Sequence, residues 1–322
     1  MSNDVLVKAF GKINDDLIED AYIEKASRKQ FDFRKWIAIA ACFLLIIGSA
    51  VAVDATSGAV SNLLAPLFGM THTEIVDKIG VPIGASSSAD GYTLTADAVI
   101  GDRYNMAVVY TLSRDNGEPI PEGIHFATWD TDVIWGATGA GSLKAVQDTD
   151  DPSKLYFIES WSRESGLIGR YVSVRFSRLE IYVENGDDIV VAEGPWQLNY
   201  TLRYEDTSVK IPVNKLSVTA SNGVKYRIDK ASISPVGIRL DGVILDPQWR
   251  EEPPFRNFEV SLKLKDGTVI FLEDRNSSGE YSEGDKSASF NFNAMFNVPV
   301  DLENVTALVI CGTEHQVDLA TK

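Results

Sequence analysis

Histidine is scarce in this sequence: the 322 residues contain three, at His72, His125 and His315. None of them has a second histidine at metal-ligand spacing, and neither an H-E-x-x-H nor a C-x-x-C motif occurs. We therefore predict no metal site and no cofactor. Each histidine is expected to be an ordinary surface or half-buried residue.

Catalytic signatures are missing as well. The glycine-rich stretch at residues 136–142 lacks the lysine of a phosphate-binding loop, so we expect a flexible loop there. No G-x-S-x-G motif marks a nucleophilic serine. Acidic turns at residues 148–151 and 184–188 offer oxygen ligands for calcium, but they lack the spacing of a recognised calcium loop, which favours solvated turns. The sequence predicts that the protein is not an enzyme.

The sequence has only two cysteines, Cys42 and Cys311. Cys42 lies inside a long apolar run, whereas Cys311 lies near the C-terminus in a stretch typical of a folded domain. A disulfide between them is nearly excluded by that separation. A domain of this size can fold without disulfides, so the cysteine count does not indicate a compartment.

Basic residues are fewer than acidic ones, so the formal net charge is -16. Nucleic-acid binding needs clustered lysine and arginine, so no nucleic-acid partner is expected. The first 35 residues contain seven acidic and seven basic side chains. The acidic excess therefore lies entirely beyond the apolar run that follows them.

That apolar run, residues 36–53, predicts a single transmembrane helix. It contains no charge, no proline and no amide side chain, and about 18 helical residues span ~27 Å, close to the hydrocarbon thickness of a bilayer. Trp36 begins the run, where a tryptophan is typical of the membrane–water interface. Basic residues precede the run and Asp54 follows it, so the positive-inside rule places the N-terminus in the cytoplasm and the C-terminal region outside the cell.

Three other interpretations of the run are weaker. A cleaved signal peptide would end at the small residues 50–52, but the preceding segment is longer than most signal-peptide n-regions. A lipoprotein site at Cys42 is disfavoured because the apolar run continues past it. A buried core helix is disfavoured because the run has no polar face. A membrane anchor is the preferred interpretation.

The predicted cytoplasmic tail, residues 1–35, carries an amphipathic helix that Asn14 can cap. Its acidic residues would lie on one face. The opposite face would carry an apolar stripe of Ile13, Leu17, Ile18, Ala21 and Tyr22. A tail of this length is too short to bury the stripe against itself. We therefore expect that the groove of a partner protein buries the stripe or that the helix is frayed and solvated.

Beyond the membrane, the pattern predicts a mainly β chain. Residues 54–85 are expected to form a juxtamembrane helical segment with a short helix at 71–80. The serine-rich residues 86–89 are expected to form a loop. Alternating apolar runs, with turn dipeptides such as Asn116-Gly117 and Asp266-Gly267, then indicate antiparallel β-sandwiches. We predict two immunoglobulin-like β-sandwich domains, at residues 86–206 and 207–322.

A family resemblance accompanies these patterns. Residues 13–26, the basic residues after them and the apolar run resemble the opening of Gram-positive membrane proteins that are considered anti-sigma-factor-like. Residues 81–112 resemble the extracytoplasmic domain of unknown function 4179 of that group, and residues 196–209 and 228–240 resemble the β domain that often follows it. The resemblance implies a cytoplasmic sigma factor of the extracytoplasmic-function type as partner. Residues 1–35 contain no His or Cys, so a zinc-binding anti-sigma helix bundle cannot form there.

Two functions are expected from this organisation. The first is a membrane-anchored regulator that couples an extracytoplasmic sensor region to a sigma factor bound by the tail stripe. The second is an anchored cell-surface binding or adhesion module with no transcriptional role. An enzyme is a distant third.

Overall fold

The computed structural model describes residues 59–68, 73–133, 139–148, 151–163, 166–184, 186–245, 257–272, 278–280, 287–317 and 319. All of these belong to one compact unit. Within them, no helix is both long and apolar enough to cross a bilayer. The predicted membrane segment at 36–53 and the tail residues Ile13, Leu17, Ile18, Ala21 and Tyr22 lie outside the described ranges.

Two short helices precede the first strand. They are α1 (Ala59–Phe68) and α2 (Thr73–Ile79). The Asp77 side chain of α2 accepts a hydrogen bond from the Ser61 backbone N–H at 2.8 Å, near the start of α1, where free N–H groups and the helix dipole favour a carboxylate. Gly80 ends α2, and its N–H donates to the Val76 carbonyl at 2.8 Å. The helical segment that was expected before the β region is therefore two helices.

The remainder is mainly β, as predicted, and all its strand pairs are antiparallel. The N-terminal half contains β1 (Val81–Ala89), β2 (Tyr92–Gly101), β3 (Asn105–Arg114), β4 (Ile124–Phe126), β5 (Trp129–Val133), β6 (Gly139–Gln147), β7 (Lys154–Arg163), β8 (Tyr171–Phe176), β9 (Leu179–Ile181), β10 (Ile189–Ala192) and β11 (Trp196–Thr201). The C-terminal half contains β12 (Val209–Ile211), β13 (Leu216–Thr219), β14 (Lys225–Ile233), β15 (Gly237–Leu245), β16 (Val260–Leu264), β17 (Val269–Leu272), β18 (Ser278–Glu280), β19 (Ser287–Met295), a 3₁₀ turn (Leu302–Asn304), β20 (Val305–Ile310) and β21 (Thr313–Gln316).

Three sheets form the N-terminal half. A five-stranded sheet has the order β1-β2-β3-β7-β6, and two three-stranded sheets have the orders β10-β9-β4 and β11-β8-β5. Alternate residues of all three sheets enter one hydrophobic core, which is a sandwich-like arrangement. Its centre is aromatic: the Phe126 ring lies 4.7–5.6 Å, between centroids, from Phe157, Phe176 and Trp196.

The C-terminal half has two sheets. One has the order β12-β14-β15-β19-β18, with β13 also paired to β14, and the other has the order β17-β16-β20-β21. Their facing residues form a second core, in which Phe258 contacts Tyr226, Phe290 and Phe292. The immunoglobulin-like assignment and the domain limits remain predictions.

The serine-rich stretch at residues 86–89 is not the expected loop, because it belongs to β1. Ser86, Ser87 and Ser88 pair with Thr95, Leu94 and Thr93 of β2. Serine has little intrinsic preference for strands, but an adjacent long strand supplies the ladder hydrogen bonds that decide the conformation.

The glycine-rich stretch was also expected to be a loop, yet residues from Gly139 onward form β6, which pairs with β7. Glycine has a packing reason here. A Cβ added at Gly141 would lie 2.2 Å from Nε1 of Trp161, so only glycine lets the strand pass this indole.

Candidate functional site

We call the strand region β1–β21 the β body. Residues of the two helices and of both halves of the β body share a third hydrophobic cluster, which we call the junction cluster. Its buried members are Leu64, Phe68, Val76, Ala98, Ile100, Ala107, Val109, Ile158, Val236 and Met295. The first three belong to the helices, the next five to the five-stranded sheet and the last two to the C-terminal half. The cluster thus joins the segment that follows the predicted membrane helix to both halves of the body.

The five-stranded sheet can serve two cores because β3 is buried on both faces. Met106, Val108 and Tyr110 point into the N-terminal core, whereas Ala107 and Val109 point into the junction cluster. The small side chains on the second face leave room for α1 to approach the sheet. A nearly continuous apolar strand of this kind is typical of a sheet covered on both sides.

The helices are held tightly at this place. A Cβ added at Gly80 would lie 2.7 Å from Leu64 Cδ1 and 2.7 Å from Val60 Cγ1, so the end of α2 packs directly on α1. Leu64 itself is 1% exposed. Removing its side chain would open a cavity in the helix–sheet contact.

A buried polar group lies beside the junction cluster. Asp102, 3% exposed, accepts hydrogen bonds from the Tyr104 and Asn105 backbone N–H groups at 2.7 and 2.8 Å. It also accepts from the Ser234 hydroxyl at 2.8 Å, across the boundary between the halves. Burial raises the pKa of Asp102, and these hydrogen bonds oppose that rise. A buried carboxylate is tolerated when it is so fully hydrogen-bonded, and this one links the N-terminal half to Ser234 of the C-terminal half.

An arginine provides a second link between the halves. The guanidinium of Arg239 lies 4.2 Å from the centroid of the Tyr104 ring and forms paired hydrogen bonds with Asp241. Its Nη1 also donates to the Arg163 carbonyl at 3.4 Å. The Arg239 side chain is only 10% exposed, so its contacts are less screened than those of a surface ion pair.

A cleft opens next to this arginine. It is lined by Tyr104, Asp229, Asp241 and three lysines, Lys210, Lys215 and Lys230. At its edge, Asn214 and Lys215 both have positive φ, 43° and 58°, a conformation that costs energy for residues other than glycine. The cleft is therefore lined by three basic and two acidic side chains, a local basic excess on an otherwise acidic protein.

The N-terminal core contains a buried carboxylate that no sequence motif predicts. Glu159 accepts hydrogen bonds from the hydroxyls of Tyr110 and Thr131, and Tyr110 lies 2.7 Å from the Tyr200 hydroxyl. Burial raises the pKa values of Glu159, Tyr110 and Tyr200. Glu159 is 0% exposed, so this network can orient strands but cannot meet a substrate.

The described histidines have different surroundings. His315 Nε2 lies 2.8 Å from the Pro212 carbonyl oxygen, so it is an ordinary hydrogen-bonded surface residue. His125 lies beside Glu180 and Asp188. The sequence could not indicate this group, because its members are 55 and 63 positions from the histidine. His72 lies outside the described residues.

No protein-family model matches the sequence, and no curated protein matches it. Among solved structures, the crystal structure of the conserved domain protein from Bacillus anthracis matches with a TM-score of 0.49 and 15% identity, over 72% of this chain and 76% of that chain.

Proposed function

We propose that the chain is a membrane-anchored regulator, anti-sigma-factor-like, whose extracytoplasmic β body controls a cytoplasmic sigma factor through one membrane helix at residues 36–53. The observation that carries this proposal is the junction cluster. A passive tether needs no defined contact with the body it holds. Here α1, the first described helix after the proposed membrane segment, buries Leu64 and Phe68 in one cluster with residues of both halves of the body.

This contact provides a physical route for a signal. Val236 and Met295 of the C-terminal half belong to the same buried cluster as Leu64 and Phe68 of α1. Closely packed interiors deform little, so a ligand that changed the relation between the halves would also move α1. α1 begins at Ala59 and the proposed membrane helix ends at residue 53, so a short segment would have to pass that movement on.

The cytoplasmic end of the proposal rests on the tail stripe Ile13, Leu17, Ile18, Ala21 and Tyr22. An apolar helix face of this kind suits the groove of a partner protein. Residues 1–35 lack His and Cys, so the stripe would bind the sigma factor without zinc.

The test is capture of a sigma factor by the full-length protein from membranes of its own host. Wild type is expected to co-purify with a sigma factor of the extracytoplasmic-function type. Leu17→Asp puts a charge in the centre of the stripe and is expected to reduce capture at least tenfold, because an unpaired carboxylate would be buried in the contact.

Glu19→Gln, on the opposite face of the same predicted helix, is the matched control and is expected to retain capture. Equal capture by wild type and Leu17→Asp, or capture of no sigma factor by wild type, would contradict the proposal.

The lysine-lined cleft favours a second candidate function, a surface module that binds an anionic polymer or peptide. Lys210, Lys215 and Lys230 would supply the positive charge. Deleting residues 1–30 separates the two candidates. A regulator would lose control of its target genes, whereas an anchored binding module would keep its surface activity.

A further inference from the structure

The small sheet β10-β9-β4 carries three potential metal ligands on one face. His125 of β4 and Glu180 of β9 are directly opposite each other in the ladder, and Glu180 is opposite Val190 of β10. Opposed residues of antiparallel strands point to the same face. Asp188 directly precedes β10, and its carboxylate lies beside the other two side chains, so three separate segments bring their side chains together.

The distances suit coordination better than a direct hydrogen bond. His125 Nε2 and Asp188 Oδ2 lie 3.6 Å apart, which is beyond hydrogen-bonding distance. One ligand atom from each of the three residues lies within 4.8 Å of the others. Ligands bound tetrahedrally to zinc at about 2.0–2.1 Å are roughly 3.3 Å apart. Side-chain movements that shorten these separations by up to about 1.5 Å would therefore complete the geometry.

Each of the three side chains also has an outer partner. His125 Nδ1 lies 3.4 Å from the Gly123 carbonyl oxygen, which suits an Nδ1–H tautomer with the Nε2 lone pair directed at the group. Asp188 Oδ1 accepts from the Val183 N–H at 3.1 Å, and Glu180 accepts from the Arg178 guanidinium. Outer partners of these kinds orient ligands in known metal sites.

Burial also suits an open site rather than a structural one. Glu180 is buried, with its side chain 8% exposed, whereas the side chains of His125 and Asp188 are 38% and 32% exposed. Three protein ligands with one side open to solvent leave a coordination position for water or another molecule.

We propose that His125, Glu180 and Asp188 form a binding site for a divalent transition-metal ion, and that zinc fits the donor set best. One imidazole nitrogen with two carboxylates suits zinc, whereas calcium prefers oxygen ligands alone and gains little from a histidine. The site lies in the β body and does not depend on sigma-factor binding.

The test is calorimetric titration of the full-length protein with Zn²⁺ in detergent at neutral pH. Wild type is expected to bind one Zn²⁺ at this site. His125→Ala and Asp188→Asn are each expected to weaken that binding at least tenfold. Asp188→Asn keeps the oxygen that accepts from Val183, and His125 is exposed, so both variants should remain folded.

His315→Ala, which removes a surface histidine elsewhere, is the matched control and should bind as wild type does. The proposal is overturned if wild type binds no Zn²⁺, or if His125→Ala binds it as tightly as wild type. The proposal is also overturned if the protein binds Ca²⁺ but no Zn²⁺ and His125→Ala leaves the Ca²⁺ affinity unchanged.

Cobalt distinguishes this site from the cysteines. Co²⁺ in place of Zn²⁺ should give visible absorption bands that disappear in His125→Ala, without the intense near-ultraviolet band of a thiolate ligand. A thiolate band would assign the binding to Cys42 or Cys311 and contradict the proposal.

Discussion

At the residue scale, buried carboxylates determine how stability depends on pH. Asp97 of β2 accepts a hydrogen bond from the Thr111 hydroxyl, and burial raises its pKa from 3.8 to about 6. A folded-state pKa above the unfolded value means that the unfolded chain releases the proton first as the pH rises. The contribution of Asp97 to stability is therefore complete below about pH 4 and is lost as the pH rises to about 6. Asp102 and Glu159, whose pKa values are also raised by burial, act in the same direction.

Asp97→Asn is expected to make this loss of stability between pH 4 and pH 6 shallower. The asparagine oxygen can still accept from Thr111, but no proton is released. At pH 7 the variant should be more stable by about 1–2 kcal/mol, since each pKa unit corresponds to about 1.4 kcal/mol and solvent screens part of the effect. Urea unfolding of wild type and variant at several pH values measures it.

Asp130→Asn is the control, because Asp130 is an exposed carboxylate of β5. It should leave the pH dependence unchanged. An Asp97→Asn protein whose stability follows the same pH curve as wild type would show that the buried carboxylate has no such role.

At the element scale, much of the β pattern was predictable from the sequence and some of it was not. β8 has the alternating pattern from which strands are predicted, because Val172, Val174 and Phe176 are buried and the residues between them are not. β1 and β6 were missed because serine and glycine have low strand propensity, and their conformation depends on pairing with β2 and β7. Gly141 shows the reason most clearly, since its role depends on an indole that lies 20 positions away.

The helix α1 is the element on which the proposed signal route depends. Leu64→Ala is expected to weaken the packing of α1 by about 2–3 kcal/mol, through a cavity in the junction cluster. Hydrogen exchange of the α1 amides should accelerate, while exchange in the β strands stays close to wild type. Expression of the sigma-dependent genes should then respond less to the state of the β body.

Asn62→Ala, an exposed position of the same helix, is the matched control for this variant. It should leave both exchange and gene expression unchanged. If the α1 amides of Leu64→Ala exchange faster but gene regulation stays normal, α1 is not the element that transmits the signal.

At the scale of the whole molecule, the candidate sites depend on contacts between distant parts of the chain. Ser234 is 132 positions from Asp102 in the sequence, and His125 is 63 positions from Asp188. Composition and periodicity describe neighbours along the chain, so they predicted strands and the apolar run but neither of these groups. The tail stripe is the opposite case: it was derived from local spacing alone, and it lies outside the described residues.

Regulation across a membrane requires that residues 36–53 separate a cytoplasmic tail from an external β body. The most direct test labels single cysteines in intact cells with a membrane-impermeant maleimide, in a protein whose Cys42 and Cys311 are serine. Asp130→Cys, on the exposed side of β5, is expected to be labelled in intact cells, whereas Ser2→Cys should be labelled only after the membrane is permeabilised. Labelling of both positions in intact cells, or of Ser2→Cys alone, would contradict this arrangement across the membrane.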